Sequence, residues 1–305
     1  MFAILICTKN RKADLVFTLH KIEALLNRKD VTCVVFDDGS TDRTFEEIQQ
    51  NFPKIELRRN EKSKGLMYCR NRMLNETNAE FAISLDDDAH FLCENPLELI
   101  KVHFDQNPIC GAIAFRLWWS KEVLQFMPSE EKPETVKGFV GCGHAWNILI
   151  WKQIQKYPEW FEFYGEEDFA SLQLFKKGFT VDYVPDILVQ HRVDLKTRSR
   201  INKDFAFRYR RSIRSSWYLY FIFFPMSKIP RKLAYTFFMQ IKLKVFKGNF
   251  TIIIPLFQAV LDVVLNSGKL AKNRNPLTLE AFWRYTKLPE TKIYWNPKPT
   301  KQANP

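Results

Sequence analysis

The 305-residue sequence contains no run of 18 uncharged apolar residues, so a bilayer-spanning helix is not expected. The stretch Met1 to Cys7 has no basic residue ahead of its apolar run, and that run is too short for a secretory signal peptide. No two cysteines stand in CxxC or CxxH spacing. All six (Cys7, Cys33, Cys69, Cys93, Cys110 and Cys142) lie in the first half. This excludes a zinc-finger or disulfide-stapled scaffold and is consistent with reduced, buried thiols in a cytosolic protein. Acidic residues are nearly missing from the last third. Residues 196–305 hold 4 Asp and Glu against 22 Lys and Arg, a net of +18, whereas residues 1–195 hold 30 against 24, a net of −6. With 46% hydrophobic and 26% charged residues, the chain is globular. Its charge asymmetry divides it into a domain over 1–195, a basic, aromatic-rich helical region over 196–288 and a proline-bearing, aperiodic flexible end over 289–305.

The first unit alternates strand-like apolar runs with helical patterns. Strands are predicted at 3–7, 31–36, 54–59, 80–85 and 109–118, and helices at 13–27, 43–50, 66–77 and 95–106. This rhythm predicts an α/β fold, a mostly parallel, Rossmann-like sheet with flanking helices. In such sheets ligands bind beyond the carboxyl ends of the strands.

Three strand ends carry polar chemistry. The first runs into Thr8-Lys9-Asn10-Arg11, the second into Asp37-Asp38-Gly39-Ser40-Thr41-Asp42, and the strand at 80–85 into Asp86-Asp87-Asp88. Three adjacent carboxylates repel one another unless a cation sits among them. A hard divalent ion, Mn2+ or Mg2+, prefers oxygen ligands of this kind. An acidic turn or helix cap is the alternative for any one of these clusters taken alone.

Six segments (5–15, 34–44, 60–74, 81–91, 164–179 and 184–192) together resemble a family 2 glycosyltransferase with the GT-A fold, in order and spacing, over residues 2–192. The resemblance implies Thr8 and Asn10 near a nucleotide, Arg11 as the usual arginine of that turn, and Asp38 accepting from N3–H of a uracil or thymine ring. Lys9 stands where most members have an aromatic residue. An ion pair of Arg11 with Asp37 or Asp42 is the alternative for that side chain. Gly65 and Arg70 fall in the segment lining the diphosphate-sugar pocket, where Asn71 caps or orients. Asp86, Asp87 and Asp88 match the family's DxD signature, with Asp86 at ribose or a metal-bound water and Asp88 on the metal. His191 matches a late histidine completing the metal or diphosphate contacts.

Glu166-Glu167-Asp168 resembles the family's Glu-Asp pair. Counting back from Gly178 makes Glu167 the general base, whereas a slip of one makes it Asp168; capping of a helix N-terminus is the remaining reading. The glycines at 138, 141 and 143 do not form GxGxxG. By resemblance, that segment borders donor sugar and acceptor, with His144 and Trp146 as candidates to face a sugar and core packing as the alternative for Trp146.

Residues 201–266 interleave Lys and Arg with Trp, Tyr and Phe, and Pro225, Pro230 and Pro255 break them into pieces too short to span a bilayer. This is the composition of an interfacial helix on an anionic membrane surface; a helical cap on the first unit is the alternative. Nucleic acid is not an expected partner. The combined expectation is an inverting, metal-dependent glycosyltransferase, peripheral at the cytoplasmic face of the cell membrane. It would use a UDP- or dTDP-linked donor and a glycan or lipid-linked acceptor, in surface polysaccharide synthesis. A sugar nucleotidyltransferase would want a glycine-rich phosphate loop after the first strand, and Thr8 to Ala13 contains no glycine. A non-catalytic membrane- or polyanion-binding module on the same fold is the non-enzymatic alternative.

Overall fold

A computed structural model describes residues 1–122, 127–193, 205–293 and 295. The central parallel strands are largely apolar runs, as strands covered on both faces must be, whereas the edge strand Glu56–Arg59 is polar and half-exposed. In β1 (Phe2–Thr8), Phe2, Ile4 and Ile6 enter one core layer, and Ala3 and Leu5 the other, following the two-residue period of a strand. The succession continues with α1 (Lys12–Lys21), α2 (Glu23–Leu26), β2 (Val31–Asp37), α3 (Thr44–Asn51), β3 (Glu56–Arg59), α4 (Leu66–Glu76) and β4 (Phe81–Asp86). Then come β5 (Ala89–Phe91), α5 (Pro96–Gln106), β6 (Cys110–Trp119), β7 (Glu134–Thr135), β8 (Gly143–Asn147), α6 (Ile148–Trp151), α7 (Glu166–Lys176) and β9 (Thr180–His191). The helix predicted over 13–27 breaks at Ile22, whose backbone (φ −105°, ψ 9°) leaves the helical region.

Among the described residues the sheet order is β3-β2-β1-β4-β8-β6-β9-β5, with β7 on β9. β1, β2, β3 and β4 are parallel, as are β6 and β9, whereas β8 runs antiparallel between β4 and β6. The glycine segment at 138–147 thus supplies a sheet strand. The register brings the polar strand ends to one edge. Thr8 lies opposite Asp37, and Cys7 opposite Asp86. β5 returns antiparallel to β9 with Ala89 opposite His191, setting Asp88 beside that histidine.

The helical region does not stand apart from the sheet. Tyr218, Leu219, Ile222 and Phe223 of α8 (Phe205–Phe223) belong to the same buried cluster as Trp146, Trp151 and Phe169, and so do Phe282 and Tyr285 of α12 (Leu279–Lys287). Between them run α9 (Ile229–Leu243), α10 (Ile253–Leu265) and α11 (Ser267–Lys272). The loose end expected from residue 289 is corrected in its described part. The Pro289 carbonyl accepts from Lys137 N–H, Lys292 pairs with Glu134 at 2.7 Å, and Trp295 N–H donates to the Leu117 carbonyl at 2.6 Å. Residues 289, 292 and 295 are thus tied to the segment after β7, to β7 and to β6. Residue 294 and residues 296–305 lie outside the described residues, as do 194–204, where the expected unit boundary falls.

Candidate active site

Thr8 closes β1 with its hydroxyl donating to Asp87 Oδ2 at 2.8 Å. The next turn is held to β2: Asn10 N–H donates to Ser40 Oγ at 2.9 Å, and Thr41 N–H to Asn10 Oδ1 at 2.7 Å. Arg11 then reaches into the acidic trio, with Nη1 3.0 Å from Asp87 Oδ1 and Nη2 2.5 Å from Asp88 Oδ2. The pairing considered with Asp37 or Asp42 is not the one formed. Asp37 faces Arg59 at 3.6 Å, and Asp42 accepts from Lys12 N–H and from Thr44.

Behind the trio, buried Arg70 donates from Nη2 to Asp86 Oδ1 at 2.8 Å and to the Gly141 carbonyl at 2.7 Å; its Nη1 lies 3.6 Å from Glu166 Oε1. Burial works against the guanidinium charge, but Asp86 and Glu166 outweigh it and raise the Arg70 pKa. Buried His191 closes the cluster, its Nε2 3.0 Å from Asp88 Oδ1 and 3.9 Å from Asp86 Oδ2.

The cluster has more negative than positive charge. Asp86, Asp87, Asp88, Glu166 and Glu167 converge on two guanidiniums, Arg11 and Arg70. The imbalance shows in Asp87. Burial, together with the charges of Asp88 and Asp86, pushes its carboxyl up to about 8 against the opposing pull of Arg11. Burial acts the same way on Asp88, yet the hydrogen bond and charge of His191, with Arg11, outweigh it and hold that carboxyl well below the usual range. Asp86, Asp88 and His191 each offer a ligand atom, all within 4.8 Å of one another. Two carboxylates and an imidazole suit a hard or borderline divalent ion, so the donor set fits Mn2+ or Mg2+, with the imidazole favouring Mn2+.

The acidic run opens α7 after Gly165, whose φ of 91° is left-handed, a conformation that glycine adopts without strain. Glu166 is buried against Arg70. Glu167 faces the cluster: a methyl group at Gly141 would lie 2.3 Å from Glu167 Oε1 and 2.8 Å from Arg70 Nη1. A side chain at position 141 would therefore have to displace the tips of Glu167 and Arg70, a constraint that counting glycine motifs does not reveal. Burial and the charge of Glu166 push the Glu167 carboxyl up. Asp168 is exposed and turns toward Gly138, 3.6 Å from where a methyl group there would sit.

Two expectations change at this point. Asp38 is not a free acceptor for a base. Asn60 Nδ2 and Lys64 N–H donate to its Oδ1, and Ser63 Oγ and Gly65 N–H to its Oδ2, at 2.6–2.9 Å. Those four bonds fill its acceptor sites and fix the loop that leads into α4. Gly65 closes that loop with φ 96°. His144 and Trp146 do not face a sugar; both are wholly buried, the His144 ring 4.3 Å from Phe139. Asn71 orients the Tyr157 backbone through two bonds of 2.9 Å. Sequence reasoning missed Arg192, which ties the site from behind by donating to Thr18 Oγ1 at 2.7 Å and the Asp14 carbonyl at 2.9 Å.

Residues 3–165 match the family described as glycosyl transferase family 2. No curated protein matches the chain. Among solved structures it is similar to GalNAc-T7 with UDP, GalNAc and Mn2+ (TM-score 0.53, 15% identity, covering 64% of this chain and 44% of that one). It is similar also to TarS 1-349 of S. aureus in complex with UDP-GlcNAc (TM-score 0.51, 16% identity, covering 72% and 66%). A third is the mannosyltransferase PcManGT from Pyrobaculum calidifontis in complex with GDP-Man and Mn2+ (TM-score 0.52, 15% identity, covering 93% and 78%). The chain spans less than half of the first of these, and at such identities the likeness is one of fold.

Proposed function

The chain belongs to glycosyl transferase family 2, and from that premise we propose that it is an inverting glycosyltransferase. In this reading it moves a sugar from a UDP- or dTDP-linked donor to a hydroxyl of a glycan or lipid-linked acceptor. The observation that carries this reading is the convergence of Asp86, Asp88 and His191 within 4.8 Å at the strand edge. Arg70 links that cluster to the helix bearing Glu167. The Mn2+ named with GalNAc-T7 and with PcManGT agrees with it.

Asp86, Asp88 and His191 would hold a divalent ion, Mn2+ or Mg2+. When bound, that ion offsets the charge that develops on the departing diphosphate. The chain's own residues do the rest. Arg70 fixes Asp86 in place, and Arg11 pairs with both Asp87 and Asp88 and offsets their mutual repulsion. Glu167 accepts the proton of the acceptor hydroxyl as its oxygen attacks the anomeric carbon. The new C–O bond forms on one face while the C–O bond to the diphosphate breaks on the other, so the configuration inverts. Asp87, buried and bonded to Thr8, fixes the end of β1 against the acidic trio. Six free thiols are consistent with a reducing, cytoplasmic compartment, and among the described residues no helix is long and apolar enough to cross a membrane. We place the reaction at the inner face of a membrane, in assembly of a surface polysaccharide.

A thermal-shift series with UDP-, dTDP- and GDP-sugars, each with and without Mn2+, tests the donor assignment. A ligand at about a hundred times its Kd stabilises by about 2.7 kcal/mol. For a chain of this size that corresponds to a rise of roughly 4 °C. The rise is expected for a UDP- or dTDP-sugar and only with Mn2+. A rise confined to GDP-sugars would replace the donor class, and no metal-dependent rise with any donor would contradict the reading.

A further inference from the structure

The helical region divides its labour. α8 buries its apolar side in the main core, yet the helices after it turn large apolar side chains outward. On α10, Ile254, Phe257, Leu261, Val264 and Leu265 recur at helical spacing along one exposed face, with Ile254 70% and Leu265 71% exposed. Leu256, Ala259 and Asp262 are buried on the opposite side. The turn before α10 adds Phe246, 74% exposed, and Phe250, 65% exposed. On α9, Tyr235 and Phe238 are exposed on the face that carries Arg231 and Lys242. An apolar groove of about 380 Å³ lies between α8, α9 and α10, bounded by Trp217, Leu233, Phe237 and Val263. Contiguous apolar surface of this kind is rare on a monomeric soluble protein and marks a contact face.

Charge identifies the partner. Between Asp204 and Asp262 the sequence has ten Lys and Arg and no acidic residue. Lys242, Lys244 and Lys247 are exposed and lie just ahead of Phe250. A second copy of this chain would set these cations against their own kind, whereas an anionic leaflet complements both the lysines and the phenylalanines between them. We propose that the outer face of α9, the 244–252 turn and α10 docks flat on an anionic bilayer. Phe246, Phe250, Ile254 and Phe257 would enter the acyl boundary, and Lys242, Lys244 and Lys247 would meet lipid phosphates. At 1.5 Å per residue these helices are shorter than a hydrocarbon core of about 30 Å, so they lie on the membrane and do not cross it. The proposal deepens the membrane placement made above; it does not depend on the transfer chemistry.

The test is flotation of the full chain with phosphatidylserine–phosphatidylcholine vesicles and with phosphatidylcholine vesicles alone. The protein is expected to float with the anionic vesicles, and less so as salt rises. Replacing Lys242, Lys244 and Lys247 together by Gln should weaken binding roughly a hundredfold, at about fivefold per cation near an anionic surface. Phe246→Asp with Phe250→Asp should weaken it about tenfold or more, by removing the inserted rings. Both variants change exposed residues only, so circular dichroism and the Mn2+-dependent thermal shift with donor should match the unsubstituted protein. Flotation that fails in the unsubstituted chain, or persists unchanged in both variants, would overturn the proposal. So would self-association that the Phe substitutions abolish while vesicles are ignored, because the face would then belong to a second copy. Loss of the thermal shift with vesicle binding intact would instead count against the catalytic reading alone.

Discussion

Asp88→Ala is expected to reduce sugar transfer by about three orders of magnitude and to abolish the Mn2+-dependent part of nucleotide binding. Asp88 is 1% exposed. It faces His191 at 3.0 Å on one oxygen and Arg11 at 2.5 Å on the other. Its removal leaves Asp86 and His191 as two ligands on an open edge, too few to hold a labile ion. The loss then equals the transition-state stabilisation that a bound cation supplies, several kcal/mol, or about a thousandfold for 4 kcal/mol. Arg11 keeps its second partner, Asp87, so the turn after β1 stays anchored. The Asp88 backbone carbonyl still accepts from Arg192 N–H. Calorimetry of donor binding with and without Mn2+ separates the two effects: metal-independent binding should persist in the variant. Transfer within tenfold of the unsubstituted enzyme would remove Asp88 from the metal site.

The second large effect concerns the base. Glu167→Gln should lower transfer by about 10²–10⁴-fold, the usual range for a positioned proton acceptor, with donor binding unchanged. Asp168→Asn should stay within about threefold, because its side chain is exposed and turned toward Gly138, whereas Glu167 borders Gly141 and Arg70. The pH profile gives an independent readout. Glu167 acts only when ionised, and burial together with Glu166 raises its pKa. Activity should therefore fall as pH drops through a midpoint above the ordinary glutamate value of about 4.3, and the residual activity of the Gln variant should lack that limb. If Asp168→Asn lost transfer while Glu167→Gln kept it, the alternative register of the acidic run would hold.

What the sequence made legible follows from how strongly each feature is constrained. Runs such as 31–36 and 80–85 read as parallel strands because burial on both faces demands continuous apolar residues, and Asp86-Asp87-Asp88 was conspicuous because like charges at a strand end call for a counterion. Partners in space were not legible. Arg11 could equally have paired with Asp37 or Asp42 at the end of the second strand, and only the parallel register of β1 with β4 sets it over Asp87 and Asp88. The resemblance makes Asp38 a ligand-binding acid, and nothing in its own turn shows that Asn60 and the 63–65 loop fold back to fill it. The family resemblance sets His144 and Trp146 near a sugar, whereas β8 inserts them into the sheet. The basic tail read as amphipathic throughout. Composition alone does not separate α8, which packs inward, from α9 and α10, which face out.

The central claim is that a divalent ion is held between Asp86, Asp88 and His191 when a nucleotide sugar binds. The most direct measurement is anomalous scattering from a crystal of the protein with Mn2+ and its donor. The account predicts a manganese peak within coordination distance of those three side chains, in contact with the diphosphate. A donor bound at the strand edge with no manganese peak there, Arg11 and Arg70 alone facing its phosphates, would contradict it.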